Sequence, residues 1–221
     1  MANLKEIRNR IASVSSTMQI TSAMKMVSAA KLKKAQDAIT AMRPYSDKLT
    51  ELIQNLSSSI DGDTPNPYTQ ERPVKKVLLV AITSNRGLCG GFNSNIIKAV
   101  NHYVEQNSNQ VISLITLGKK GNDILSKTKT IATNNNGIFD DLNFANTSEI
   151  AEGFMEAFAN KEYDKVVVMY NRFKNAATQI VTTEKLLPIV AEANDSANAT
   201  ADYIFEPTQE EIVNELLPKS I

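Results

Sequence analysis

Between Leu4 and Met42, apolar or small residues recur at alternating three- and four-residue steps: Leu4, Ile7, Ile11, Val14, Met18 and Thr21, then, past Lys25, Ser28, Leu32, Ala35, Ile39 and Met42. A seven-residue repeat of this kind keeps one stripe of an α-helix turned toward a partner helix in a left-handed supercoil. At 1.5 Å per residue such a helix is about 60 Å long, wider than a small domain, so it must project. At Arg43-Pro44 the stripe changes phase and resumes as Tyr45, Leu49, Leu52 and Leu56, which predicts a kink or local break at the proline. The helix is expected to fray near Ser57-Ser58-Ser59. Residues 57–73, rich in Ser, Gly, Asp and Pro, read as a linker.

The pattern then changes. Val74–Ile82, VKKVLLVAI, is a short apolar run of the type buried on both faces in a parallel sheet. A glycine-rich loop follows, then an expected helix over Ser94–Glu105, a strand over Val111–Leu117 and a helix over Lys119–Lys127. Thr147–Asn160 reads as a helix capped by its Thr-Ser pair, with Phe154 and Phe158 toward the sheet. Lys165–Tyr170 and Thr178–Leu187 read as an antiparallel hairpin joined by the polar turn Asn171–Ala177. Residues 191–202 form a second linker or loop. Tyr203-Ile204-Phe205 offers a short strand, and Thr208 with Glu211 forms a capping box ahead of Ile212, Val213, Leu216 and Leu217. The predicted fold is α/β: a long N-terminal coiled-coil helix over 1–57, a Rossmann-like domain of about five strands over 74–190, and a short strand and helix start over 202–221.

Composition narrows the class. The 221 residues are 42% hydrophobic and 22% charged, as in ordinary globular proteins. No apolar run reaches 18 residues, and MANLKEIRNR lacks the apolar core of a secretory leader. Cys89 stands alone, so no internal disulfide is possible, and the lone His102 excludes a multi-histidine metal site. The net charge of zero conceals an asymmetry: residues 1–56 carry 9 Lys/Arg against 4 Asp/Glu, whereas the remainder carries 15 against 20. A basic rod suits acidic partners, with nucleic acid as the competing reading. No aromatic residue is interleaved with the lysines, and charge beside a seam is usually a solvated face. Ile20, Met24 and Val27 form a second stripe off the seam, which suggests contact with a surrounding protein.

The most enzyme-like feature is the loop Thr83–Asn93, TSNRGLCGGFN, between a buried strand and a helix. Such loops can cradle phosphate. Its glycines do not fit G-x-G-x-x-G, no Lys-Ser/Thr pair follows, and Val111–Leu117 ends without an acid placed for a ribose. A tight turn is the favoured reading. Cys89 has no histidine in its sequence neighbourhood, and Asp140-Asp141 follow the turn-forming Asn134–Gly137, so neither is assigned catalysis. No catalytic, cofactor-binding or metal-binding residue is expected.

Three ordered segments carry a family resemblance. RIASVSSTMQITSAMKMVSAAKLKKAQ (Arg10–Gln36), SNRGLCGGFN (Ser84–Asn93) and YIFEPTQEEIVNELLP (Tyr203–Pro218) resemble the first shaft helix, the central-domain loop and the opening of the last helix of the gamma subunits of rotary F-type ATP synthases. The resemblance implies a non-catalytic central-stalk rotor that couples proton flow to ATP synthesis. Its partners would be the alpha, beta, epsilon and c subunits, with no nucleic acid and no cofactor. By family position, Arg8, Met24, Lys25, Lys31, Lys33 and Lys34 would meet the beta subunits, and Tyr203 and Glu206 would lie near the c ring and epsilon. The family's C-terminal shaft helix is not in this chain, so a truncated form, or pairing of two copies through the seam, is expected. The absence of a presequence points to the cytoplasmic side of a bacterial plasma membrane, reached through partners only.

Overall fold

The computed structural model describes residues 3–59 and 66–189, together with Glu206, Ile212, Leu216 and Pro218. The expected linker 191–202, the strand Tyr203–Phe205 and the capping box Thr208–Glu211 lie outside the described residues. The chain divides into two compact units, Met1–Leu52 and Ile53–Ile221.

The first unit is helical. Helix α1 (Leu4–Ser59) is continuous over 56 residues and passes through Pro44. Its portion up to Leu52 is on the order of 70 Å long. Of the kink or local break expected at Arg43-Pro44, the break is absent. An interior proline forfeits one backbone bond and costs about 3 kcal/mol, but the Ala, Leu, Lys and Gln residues on either side favour helix strongly enough to carry the chain through. The hydroxyls of Thr17 and Thr21 donate back to the carbonyls of Ser13 and Thr17, so two polar side chains in the stripe region satisfy themselves locally.

The second unit holds a five-stranded mixed sheet of β1 (Lys76–Ile82), β2 (Val111–Leu117), β3 (Ile131–Asn135), β4 (Lys165–Asn175) and β5 (Thr178–Leu187), in the order β3-β2-β1-β4-β5. The pairs β1–β2, β1–β4 and β2–β3 are parallel, and β4–β5 is the antiparallel hairpin. The central strand β1 is buried from Val77 to Ala81 because both its faces are covered. On one face Val77, Leu79 and Ala81 pack with Ile96 and Val100 of α2 (Phe92–Gln106) and Leu125 of α3 (Lys119–Leu125). On the other, Leu78 and Val80 pack with Phe154, Met155 and Phe158 of α4 (Phe144–Ala159). The period-2 alternation of strand side chains thus sorts one apolar run into two cores.

Helices α2 and α3 shift by one or two residues at their ends, and four larger departures from the sequence reading follow. Helix α4 starts a turn before Thr147, because Asn143 is the cap: its Oδ1 accepts from the Asn146 amide at 2.9 Å. The expected polar turn Asn171–Ala177 is mostly strand. Asn171, Arg172 and Phe173 pair with Val181, Ile180 and Gln179, and only Ala176-Ala177 remain between the strands. Asn175 Oδ1 accepts from the amides of Ala177 and Thr178 and so fixes that tight turn. Strand β3 takes in Asn134 and Asn135, which had read as turn residues; pairing with Thr116 and Leu117 of β2 overrides their weak strand propensity. The end of the linker is anchored rather than free. Arg72 donates to the carbonyls of Phe158 (2.9 Å) and Tyr163 (3.3 Å), with its guanidinium 4.3 Å from the Phe158 ring centre. Asp164 accepts from the Lys75 and Lys76 amides at 2.9 Å each. Burial works to raise the Asp164 carboxyl, but those two amides and the Arg72 charge outweigh it, so its pKa lies below the ordinary value.

Candidate functional site

Two features stand out, the surface of α1 and the loop following β1. Along α1 most seam residues are open to solvent: Ile11, Val14 and Met18 are 62–66% exposed and Met42 is 65% exposed, whereas Ile39 is half-buried and Leu49 is buried. The second stripe is open as well, with Ile20, Met24 and Val27 all near 60% exposed. Soluble proteins seldom present so long an apolar surface without a partner for it. Arg8, Lys25, Lys31, Lys33 and Lys34 share this helix and are exposed. Lys33 pairs with Asp37 at 3.4 Å, both side chains being mostly solvated, a contact worth little. Arg8, Lys25, Lys31 and Lys34 have no ion pair among the described residues, so four cations stay available to an outside partner. Of the two residues expected at the foot, Glu206 is exposed and Tyr203 lies outside the described residues.

The glycine-rich loop is built differently from a phosphate cradle. Leu88 and Gly90 both take positive φ, at 59° and 58°, which turns the chain back on itself. Asn93 holds the turn together. Its Oδ1 accepts from the Ser84 amide at 2.9 Å, and its Nδ2 donates to Ser84 Oγ (2.9 Å), the Arg86 carbonyl (3.3 Å) and Cys89 Sγ (3.1 Å). Asn85 ties this loop to its neighbours by donating to the Asn136 carbonyl and accepting from the Lys119 amide. The Lys120 amide donates to the Ser84 carbonyl, and the Gly121 amide to Thr83 Oγ1. The Ser84 amide of the loop and the neighbouring amides of Lys119, Lys120 and Gly121 are thus already satisfied within the chain.

Gly118 completes the construction. At φ 107°, a Cβ there would lie 2.1 Å from the Thr83 carbonyl oxygen, so strands β1 and β2 can meet this closely only at a glycine. Cys89 is exposed, with no acid, base or histidine bonded to it. Among the described residues no group of three His, Cys, Asp or Glu is placed to hold a metal, and no helix is long and apolar enough to cross a membrane. The bridging roles of Asn85, Asn93 and Asn136 were not anticipated. Their signal was an asparagine on each side of the Gly-rich turn, where local side-chain to backbone bonds are common.

Comparison with known proteins places these features in a family. The ATP synthase family model matches residues 3–221. The ATP synthase gamma chain of Flavobacterium johnsoniae is 61% identical over the whole chain, which spans 77% of that protein's length. The gamma chain of Geobacter sp. strain M21 is 42% identical, again over the whole chain and 77% of the relative. Among solved structures, a chain of the central stalk and c-ring portion of Tetrahymena thermophila mitochondrial ATP synthase matches with a TM-score of 0.63 and 28% identity, covering 91% of this chain and 87% of that one. A rotor chain of the Euglena gracilis mitochondrial enzyme, at 22% identity and a TM-score of 0.56, shares the fold. A long helix with two open stripes, an α/β domain whose loop is spent on its own structure, and a match over residues 3–221 agree: the chain belongs to the ATP synthase gamma-chain family, the non-catalytic rotor of the central stalk.

Proposed function

We propose that α1 turns as the shaft inside a hexamer of alpha and beta subunits, with Arg8, Met24, Lys25, Lys31, Lys33 and Lys34 against acidic surfaces of the beta subunits. The foot, including Tyr203 and Glu206, rests on the c ring and the epsilon subunit. The assembly sits on the cytoplasmic side of a bacterial plasma membrane, and this subunit reaches the membrane through its partners alone. The observation that carries this reading is the pairing, on one helix, of exposed apolar stripes with cations that have no ion pair among the described residues.

The physics of a bearing favours that combination. A shaft must pass its contacts in sequence, so each must be weak enough to break. Solvated ion pairs are worth roughly 0–1 kcal/mol and are screened by salt, whereas deep apolar burial would lock one position. A rotor biases catalytic conformations only through contact energies that differ between its positions. The seam from Leu4 to Met42 calls for a second helix, and two copies of the isolated chain pair through it.

The experiment replaces Lys25, Lys31 and Lys34 with Glu in the full-length subunit assembled with its partners. Coupled ATP hydrolysis falls several-fold and its salt dependence inverts, because each contact changes from attraction to repulsion. Wild-type activity and an unchanged salt profile in the assembled triple variant would remove these lysines from the bearing.

A further inference from the structure

The sheet contains a crevice that the rotor role does not use. Strand order reverses direction between β1 and β4, the place where open α/β sheets receive ligands beyond the carboxyl ends of their strands. Here β1 stops at Ile82, while β4, paired with it only as far as Met169, runs on to Asn175. The gap left above β1 is a cleft of ≈ 610 Å³, within the usual range for small-molecule sites.

Ile82, Phe92, Phe139 and Tyr170 form its apolar and aromatic wall, beside the polar Thr83, Ser84, Asn85 and Asn171. The Tyr170 hydroxyl donates to Glu184 at 2.9 Å, which holds that ring in place. The backbone around the cleft is fixed by the Asn93 and Asn85 networks and by Asn171, which donates to the Phe92 carbonyl at 2.9 Å. Two charged groups of opposite sign complete the lining, Arg86 and Asp140. Neither side chain has a hydrogen bond or ion pair among the described residues, and they do not pair with each other. A preformed aromatic slot with a cation and an anion that have no partner among the described residues is a recognition pattern, since each charge is open to a ligand.

We propose that this cleft binds a planar heteroaromatic molecule bearing an exocyclic N–H donor and an anionic tail, with adenosine monophosphate as the representative. The ring lies against the aromatic walls, the anionic tail meets the Arg86 guanidinium, and the N–H group donates to the Asp140 carboxylate. The amides of Ser84, Lys119, Lys120 and Gly121 take no part, because they are already bonded within the chain. No chemistry follows from this arrangement, which holds no activated nucleophile. The inference stands apart from the shaft reading and depends only on the α/β domain.

The test is isothermal titration calorimetry of the full chain with adenosine monophosphate, adenosine and inorganic phosphate. Adenosine monophosphate binds saturably with a Kd below about 1 mM, and adenosine binds about tenfold more weakly for want of the Arg86 contact. Arg86→Ala removes that tenfold difference and leaves adenosine unchanged. Phe139→Ala weakens both ligands, and Asp140→Asn does so as well. All three residues are exposed, so these variants fold. Absence of saturable heat with the mononucleotide at several millimolar would overturn the proposal. So would phosphate binding as tightly as the mononucleotide, or binding indifferent to all three substitutions.

Discussion

Gly118→Ala is expected to be the most damaging methyl that can be added to the α/β domain. The residue sits at φ 107°, a conformation that costs an L-residue about 1–3 kcal/mol. The added Cβ would stand 2.1 Å from the Thr83 carbonyl oxygen and 2.7 Å from its carbon, both backbone atoms that cannot rotate away. Thr83 must therefore move. It is held by its amide donating to the Leu117 carbonyl at 2.8 Å and by its hydroxyl accepting from the Gly121 amide at 2.9 Å. Losing one such buried bond adds about 1–3 kcal/mol. The sum is about 2–6 kcal/mol, a large share of a typical domain's stability of roughly 5–15 kcal/mol.

Two controls separate the terms. Gly90→Ala has open space around it but keeps positive φ, so it carries strain alone, about 1 kcal/mol. Gly137→Ala has open space and no positive φ, so it is close to neutral. Urea denaturation followed by circular dichroism and tyrosine fluorescence ranks the three. A Gly118→Ala midpoint equal to that of Gly90→Ala would refute the steric argument.

Further expectations concern Tyr170 and Arg72. Burial first, and then the hydrogen bond and charge of Glu184, push the Tyr170 phenol up to about 12. The folded pKa lies above the unfolded value near 10, so the associated stability is intact below pH 10 and is lost as pH rises toward 12. Denaturation midpoints measured from pH 9 to 12 fall for the wild type and fall less for Tyr170→Phe; parallel curves would contradict this. Arg72→Ala removes two hydrogen bonds to carbonyls and the stacking on Phe158, and destabilises the domain by about 2–3 kcal/mol in the same urea assay. A loss under about 0.5 kcal/mol, the range of ordinary surface changes, would show that the segment before β1 is not held by this residue.

Much of this architecture could be read directly from residue spacing. The heptad run from Leu4 keeps one helical period as far as Met42, and in the unbroken apolar block Val77–Ala81 local sequence and burial on both faces agree. The failures came where tertiary pairing overrode local preference. Asn134 and Asn135 are poor strand formers that become an edge strand because β2 offers them partners. Asn171–Asn175 look like a turn but extend the hairpin, because Val181 and Ile180 lie opposite them. Pro44 marks a phase change in the stripe, yet the helix absorbs it. The spacing of the glycines in the loop departs from the phosphate-binding motifs. That the loop is tied to its neighbours depends on Asn85, whose bonds reach Lys119 and Asn136, 34 and 51 positions away, and no local pattern reveals such partners.

The measurement that bears most directly on the central claim is ATP-driven rotation of the full-length subunit in the assembled complex, followed through a bead fixed to its α/β domain. The account predicts stepwise turning that stops when the exposed stripe is cross-linked, through Met24→Cys, to a neighbouring beta subunit. A complex that hydrolyses ATP at full rate while the bead stays still, or that turns freely with that cross-link in place, would contradict it.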